Sequence, residues 1–426
     1  MMQHAKGYYL FLQGPHGPFF WQLAKIIQSA GAKIEKIGFN QGDAFYWREA
    51  TSYTPYTGDL DHWSDFVERK LKEGVSDLVL YGDERAHHSQ AIELAKKLKI
   101  RIHYFEEGYL RPYWVTYERQ GVNGHSPLVK TSIAQMRRAL KSLDPEHPEA
   151  PARWGELRSH IFHGAVYHWQ VLVRNGRYPK YKSHRDRSVG QEFIFHLRKL
   201  LRLPFTAIRT VLERRAIFRS GRSYHLVLMQ LEHDASIKLH SDYNSIQTFV
   251  DEVIDAYLEG APKHHLLVFK AHPLDDFSTQ MDRHIRKRAR DLGLDGMIRY
   301  VHGGRLARLL DYANSAVTIN STAAQQALWR GIPVKSLGRS VYNKPELVSA
   351  QNLADFFGDP QKPDLEAYHD YRRYLLATSQ ILGGFYSAKS RIRLLRGVVD
   401  MMLADKDSYK ILASMGEAKA QQRKKA

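Results

Sequence analysis

The chain has 426 residues, 43% of them hydrophobic and 25% charged, with no cysteine and a formal net charge of +18. That length supports two to three domains with a large core, and the missing cysteines exclude disulfides, thiolate catalysis and cysteine-ligated zinc. No apolar run reaches the ~18 residues that span a bilayer, and MMQHAKGYYLFLQGPHG holds too few apolar residues for a secretion signal, so a cytoplasmic protein with an anionic partner is expected.

In chain order, Tyr8 to Gln13 reads as a buried strand, Phe19 to Ala30 as a helix and Ile34 to Phe39 as a second strand. Leu60 to Lys72 reads as a helix, Asp77 to Tyr81 as a strand, His88 to Leu98 as a helix and Ile100 to Phe105 as the next strand. Strands alternating with helices of this length predict a parallel sheet with right-handed crossovers. Residues 130–222 read as helical and basic. Between Arg153 and Arg222 stand 16 Lys or Arg against 4 Asp or Glu, so 12 of the 18 excess positive charges sit there. A solvated helical surface explains such a run as well as an anionic partner does. VRNGRYPKYKSHRDR has the composition of an exposed loop. GQEFIFHLRKLLRLPFTAIRTVLERR carries an apolar stripe broken by arginines, which fits a core-facing or an interfacial helix.

A second series follows. Leu226 to Leu231, Leu266 to Lys270, Met297 to Val301, Ala316 to Ile319 and Pro333 to Leu337 read as strands. Helices are expected over Ile246 to Leu258, Ser278 to Leu292 and Leu306 to Tyr312, and after Ser321. The expected division is 1–140, a Rossmann-like domain; 141–222, the basic helical segment; 223–395, a second Rossmann-like domain; and 396–426, a C-terminal helix and basic tail. Two α/β units facing a cleft, with a basic helical insertion, is by analogy a GT-B-like arrangement.

In an open parallel sheet, ligands bind beyond the carboxyl ends of the strands, and three features stand at such ends. Glu106 and Glu107 follow Phe105 and precede Gly108, whose freedom permits a tight turn. Neighbouring residues on extended backbone point to opposite faces, so one of the two carboxylates faces a ligand. Such a group serves as general base or nucleophile at a sugar centre; two solvated loop glutamates is the plain alternative. His272 and Pro273 end the Leu266 strand, and Lys270 with His272 supplies donors for a phosphate or carboxylate. Asn320, Ser321 and Thr322 link a strand to a helix, an arrangement that caps the helix and leaves an anion site at its N-terminus. His87–His88 and His264–His265 lack metal spacing and read as surface residues. No Walker A loop, GxGxxG after a strand or HExxH is present, and neither metal nor cofactor is expected.

FLQGPHGPFF, YGDERAHHSQA, FEEGYLRPYWVTYERQGVNGHSPL, QLEHDASIKLHSDY, LLVFKAHPLDD and TINSTAAQQALWRGIPVKSLGRSVYN together resemble the capsule polysaccharide biosynthesis and export family. The resemblance covers most of both α/β units, is weak over about 140–220, and does not extend to the tail. It implies a GT-B fold and a retaining β-Kdo transferase that moves Kdo from CMP-Kdo to a (lyso)phosphatidylglycerol-type acceptor, starting the linker of the capsule chain. Bacterial sialyltransferases carry a similar pair of signatures, D/E-D/E-G for the catalytic carboxylate and HP for the nucleotide. On that pattern Glu107, with Glu106, is catalytic, Glu107 being favoured for its place beside the turn glycine. Related Kdo transferases commonly carry Asp at the second position of the pair and glycine after INST, where this chain has Glu107 and Ala323.

The resemblance places Lys270, His272, Pro273, Asn320, Ser321 and Thr322 on the departing CMP phosphate and Arg111 on the ulosonate carboxylate. A salt bridge from Arg111 to Glu106 or Glu107 stands beside that last role. Gln13, Gly14 and His16 would line the acceptor side, and Asp234 and Ser236 would contact donor or acceptor. The first domain then belongs to the acceptor and the second to the nucleotide sugar. Implied partners are CMP-Kdo, an anionic glycerophospholipid, the inner-membrane surface of a Gram-negative bacterium and other capsule assembly proteins. Segment 150–222 supplies the membrane contact by charge. No nucleic-acid motif accompanies the charge. A non-catalytic export or assembly factor and a sialyl-type CMP-sugar transferase remain open alternatives.

Overall fold

The computed structural model describes residues 7–141, 143, 156–181, 205, 207–231, 237, 240–272 and 279–415. They form two units. As far as they are described, Met1–Pro127, Met136–Gln191 and Arg373–Ala426 make the first, and Leu128–Gln135 with Glu192–Arg372 the second. In chain order the strands are β1 (Tyr8–Phe11), β2 (Lys33–Gly38), β3 (Tyr53–Pro55), β4 (Asp77–Tyr81), β5 (Arg101–Glu107), β6 (Trp114–Glu118), β7 (Tyr224–Leu228), β8 (Leu266–Lys270), β9 (Ile298–Val301), β10 (Ala313–Thr318), β11 (Val334–Ser336) and β12 (Gln380–Leu382).

The first unit is built on a seven-stranded sheet ordered β12-β6-β5-β4-β1-β2-β3. Strands β1 to β5 run parallel, while β6 is antiparallel to β5 and β12 antiparallel to β6. The pleat divides its apolar residues between two layers. Leu10, Leu78, Leu80 and Tyr104 pack with Trp63, Val67 and Ala91 on one face. Phe11, Val79 and Phe105 pack on the other with Phe19, Leu23, Leu394 and Val398. Phe105 is wholly buried, and truncating it to alanine would cost about 3–5 kcal/mol.

The second unit holds a five-stranded, all-parallel sheet ordered β11-β10-β7-β8-β9. Its central strands are near-continuous apolar runs because helices cover the sheet. Val227, Phe269 and Val317 meet Phe249, Val253 and Ile285 from the helices Ile246–Gly260 and Thr279–Asp291. Two Rossmann-like α/β units are therefore present, as expected.

The chain is partitioned differently from the linear division. Residues 373–395 belong with the first unit, not the second: β12 pairs with β6, and helix Ala388–Leu403 covers the first sheet through Leu394 and Val398. Arg119 donates to the terminal carbonyls of that helix and its exit, Met402 at 3.1 Å and Ala404 at 2.6 Å. The basic segment also splits. Helix Glu156–Arg174 packs against helix Gln41–Tyr46 in the first unit. Residues 207–219 are helical and lie in the second unit, where Arg209 bonds Asp282 at 2.6 Å and Glu213 bonds Arg286 at 2.8 Å.

Candidate active site

Glu106 and Glu107 lie inside β5, not beyond it. Their backbones pair with Thr116 and Val115 of β6, so the strand continues two residues past Phe105, where the apolar run ends. A strand was not expected at 114–118, and this unforeseen partner is what extends β5. Gly108 then turns the chain: a Cβ there would sit 2.1 Å from the carbonyl oxygen of Trp114, which leaves no room for a side chain. On the extended backbone the two carboxylates leave by opposite faces, as expected.

Glu107 leaves by the face of Phe105. Its Oε1 accepts hydrogen bonds from the hydroxyls of Tyr386 at 3.1 Å and Tyr81 at 3.3 Å. Burial, and then the charge of Glu107, pushes both phenols well above their ordinary pKa, so both stay protonated as donors. Tyr386 is itself fixed from two sides. The His160 ring stacks on it with centroids 4.0 Å apart and 1° between planes. Glu156 accepts from the amides of Tyr386 and Ser387, both at 3.2 Å, at the N-terminus of helix Ala388–Leu403. Burial lowers the pKa of His160 although Glu107 opposes the shift, which leaves a neutral imidazole on this face.

Glu106 leaves by the face of Tyr104. Its Oε1 accepts the backbone N–H of Glu107 at 2.9 Å. Burial lifts its pKa to about 7, helped by the charges of Glu107 and Asp83 and opposed by that hydrogen bond and by Arg111. Gly82, at φ +70°, would place a Cβ only 3.1 Å from Glu106 Oε2, so both its conformation and its bareness serve this carboxyl. Asp83 accepts from His125 Nδ1 at 2.9 Å. Glu118 is raised to about 8 by burial and accepts from Ser126 at 2.7 Å and from Tyr109 and Tyr409. Arg111 is exposed, and its Nε donates to the Gly108 carbonyl at 3.3 Å. It forms no ion pair with either glutamate, so its influence on Glu106 is through-space.

The end of β1 carries a buried polar network. Gln13 donates to the Tyr167 hydroxyl at 2.8 Å and accepts from Arg85 at 2.9 Å. Tyr167 also accepts from Asn40 at 2.7 Å and donates to Asp43 at 3.3 Å. Asp43 in turn stands 3.7 Å from the buried ammonium of Lys36, whose pKa burial lowers. His16 stacks on Tyr167 at 4.3 Å. At Gly14 a Cβ would strike the Phe20 ring at 2.5 Å. Arg85 lies 5.8 Å from the Tyr81 ring and so joins this network to the Glu107 face. Helix Glu156–Arg174 roofs both, with His160 at Tyr386, His163 3.0 Å from the Tyr46 hydroxyl, and Tyr167 at Gln13.

In the second unit the strand ends are tied together by backbone and amide contacts. Gln230, after β7, exchanges two hydrogen bonds with Asn320, after β10, at 2.7 and 3.1 Å. Lys270 is buried and donates to the Ala271 carbonyl at 2.7 Å; His272, two residues on, is half-buried. The expected capped helix differs from the one found. It is the five-residue Ala324–Leu328, its N-cap is Ala323, and no side chain caps it. Ser321 Oγ accepts instead from the Ala323 amide at 3.3 Å, Tyr342 donates to the Ser321 carbonyl at 2.8 Å, and the Thr322 carbonyl accepts from the Gln325 amide. Asn320 is diverted to bridging strands, so the anion-binding geometry of a long helix N-terminus is not what this segment provides. Pro273, Asp234 and Ser236 lie outside the described residues.

Two histidine pairs also differ from expectation. His88 is fully buried, with Nδ1 3.1 Å from the Gly82 carbonyl, and His265 bonds His225 at 3.0 Å; only His264 is exposed. Among the described residues no group of three His, Asp or Glu side chains could hold a metal ion. Tyr81, Tyr386, His160, Tyr167, Asp43 and Arg85 escaped the sequence reading. Tyr81 and Arg85 had a signal, as they flank the end of a predicted strand in YGDER; Tyr386, which bonds Glu107, and His160, which stacks on Tyr386, come from elements far away in sequence.

The model of the family described as "Capsule polysaccharide biosynthesis protein" matches residues 76–386. The chain belongs to this family. It is 31% identical over 386 residues to the capsule polysaccharide modification protein LipB of Neisseria meningitidis serogroup B, covering 89% of this chain and 91% of that one. It is 32% identical over 384 residues to the capsule polysaccharide export protein KpsS of Escherichia coli, covering 89% and 96%. Among solved structures, the β-Kdo 2,7 transferase of Thermosulfurimonas dismutans KpsC matches with a TM-score of 0.43 at 12% identity, over 92% of this chain and 99% of that chain.

Proposed function

We propose that this capsule family member is a retaining β-Kdo glycosyltransferase that transfers Kdo from CMP-Kdo to a (lyso)phosphatidylglycerol acceptor. The observation that carries the reading is Glu107, a carboxylate at the carboxyl end of a parallel sheet, aimed by two tyrosine hydroxyls and flanked by a neutral histidine. Glu107 attacks the anomeric carbon as the bond to the CMP phosphate breaks, and CMP leaves with the electron pair. The acceptor hydroxyl then displaces the carboxylate from the opposite side, and its proton passes to solvent on that side. Two inversions retain the β configuration. The tyrosines hold the carboxylate before and after each displacement, so little reorganisation accompanies the charge movement.

Asn320, Ser321, Thr322, Lys270 and His272 are assigned to the departing phosphate, through side chains and amides rather than a helix terminus. Arg111, exposed beside Gly108, is assigned to the ulosonate carboxylate, which a guanidinium pairs in a bidentate manner. Gln13, Gly14 and His16 are assigned to the acceptor side. With a lipid acceptor, the enzyme works at the cytoplasmic surface of the inner membrane.

The test supplies CMP-Kdo generated in situ with a fluorescent phosphatidylglycerol analogue. The expected product is heavier by one Kdo, and Glu107→Ala slows its formation at least about 100-fold. Asn320→Ala should raise KM for the donor with a smaller change in kcat. Undiminished turnover in Glu107→Ala would overturn the assignment. Absence of transfer by wild type, with capsule production intact in Glu106→Ala and Glu107→Ala cells, would favour an assembly factor, and faster turnover with CMP-sialic acid would reassign the donor.

A further inference from the structure

Helix Glu156–Arg174 has one face engaged in the first unit and another left bare. His160, His163, Tyr167 and Val171 point into the unit. Leu157, Ile161, Phe162, Trp169, Leu172 and Val173 are exposed, with Leu157 at 68%, Phe162 at 62% and Trp169 at 59%. Ile161 follows Leu157 by four residues, Trp169 follows Phe162 by seven, and Leu172 and Val173 follow Trp169 by three and four, so the six line one side of a helix about 28 Å long. A contiguous apolar stripe of this kind on a water-facing helix marks a contact surface. Its charge setting is equally uneven. Exposed Arg158 stands at its N-terminal end and exposed Arg174 and Arg177 at and just past its C-terminal end, and residues 157–181 contain no Asp or Glu.

We propose that this helix lies in the plane of an anionic bilayer surface, its apolar stripe inserted among the acyl chains and its arginines at the headgroups. An interfacial helix combines these features: a wide apolar face, basic ends, and an indole whose N–H stays at the polar boundary. A second copy of this chain fits poorly, because self-pairing would set arginines against arginines with no acid to meet them. Spanning is not available, since among the described residues no helix is long and apolar enough to cross a membrane. Attachment therefore has an apolar part beyond the electrostatic one expected from composition. The opposite face of the same helix carries His160 and Tyr167, so docking sets the Glu107 and Gln13 groups next to the surface where, on the transferase reading above, the acceptor lipid lies.

The experiment uses the full chain and phosphatidylglycerol/phosphatidylcholine vesicles with brominated acyl chains, read by tryptophan quenching and by flotation. Wild type should float and be quenched, and Trp169→Phe should float while losing the Trp169 part of the quenching. Ile161→Glu/Trp169→Glu, its fold verified by circular dichroism, should bind at least ten-fold more weakly. On a short-chain phosphatidylglycerol analogue kept below its micelle concentration, that variant should keep wild-type turnover; on vesicle-borne acceptor its turnover should drop at least ten-fold. Wild-type flotation by the double variant, or quenching independent of Trp169, would overturn the proposal. So would a concentration-dependent dimer broken by the same substitutions without vesicle binding. Vesicle binding that responds to the stripe, with no transfer to either acceptor, would sink the transferase reading and leave the docking helix standing.

Discussion

Glu106 and Glu107 are neighbours in β5, yet the structure treats them as residues of different regions. Glu107 enters a layer built by Tyr81, Tyr386 and His160, where three separate chain segments supply donors and a stacked ring. Glu106 enters a layer shared with Asp83 and Glu118, where the neighbours are acids and burial decides its protonation. The first environment orients an anion, and the second favours a proton-bearing carboxyl. The lesson is that a doubled acid in sequence need not be a doubled function: the pleat of one strand separates the two by direction, and the layers on either side then give each its chemistry.

The sharpest way to break this contrast is Glu107→Ala, expected to lower kcat for Kdo transfer on the order of 100- to 10,000-fold, the range a positioned catalytic group supplies. Glu106→Gln, measured in the same assay, should retain most activity near neutral pH. Equal losses in both would erase the difference between the faces. Tyr386→Phe removes one of the two donors to Glu107 and should reduce kcat roughly 10- to 100-fold, since a hydrogen bond to a charged group contributes about 1.5–3 kcal/mol, with KM for the acceptor nearly unchanged.

Smaller effects concern stability. Glu106 is raised to about 7 and Glu118 to about 8, so the folded state holds more protons than the unfolded state above the ordinary carboxylate range. The stability contributed by these two groups is full below about pH 4.5 and is lost as pH rises through 7 to 8. Glu118→Gln should flatten this decline of Tm between pH 5 and 8.5, and Glu106→Gln should flatten its lower part, ending near pH 7. A Glu118→Gln profile of Tm that runs parallel to the wild-type profile across that window would contradict the acid-rich layer.

Much of the fold was legible because periodicity and burial are local. Asp77 to Tyr81 and Leu266 to Lys270 stand where the alternation of apolar runs and helices put them, and the acidic pair Glu106–Glu107 was singled out by its position after such a run. The hairpin partner β6 was missed, because pairing of WVTYE with β5 depends on a turn at Gly108 that only a close backbone approach reveals. The helix after INST was misjudged for a similar reason: Asn320 has a cap-forming side chain, but Gln230 ninety residues earlier claims it.

By itself the sequence determined two α/β units, a concentration of positive charge in one segment and the acidic pair beyond an apolar run, since each follows from residue type and spacing over a few turns or strands. Only the tertiary structure decided that residues 373–403 return to the first sheet, that the basic segment divides between two units, and that Tyr386 bonds Glu107 with His160 stacked behind it. Those outcomes depend on contacts between residues tens to hundreds of positions apart, where many pairings satisfy the same local pattern and packing selects one.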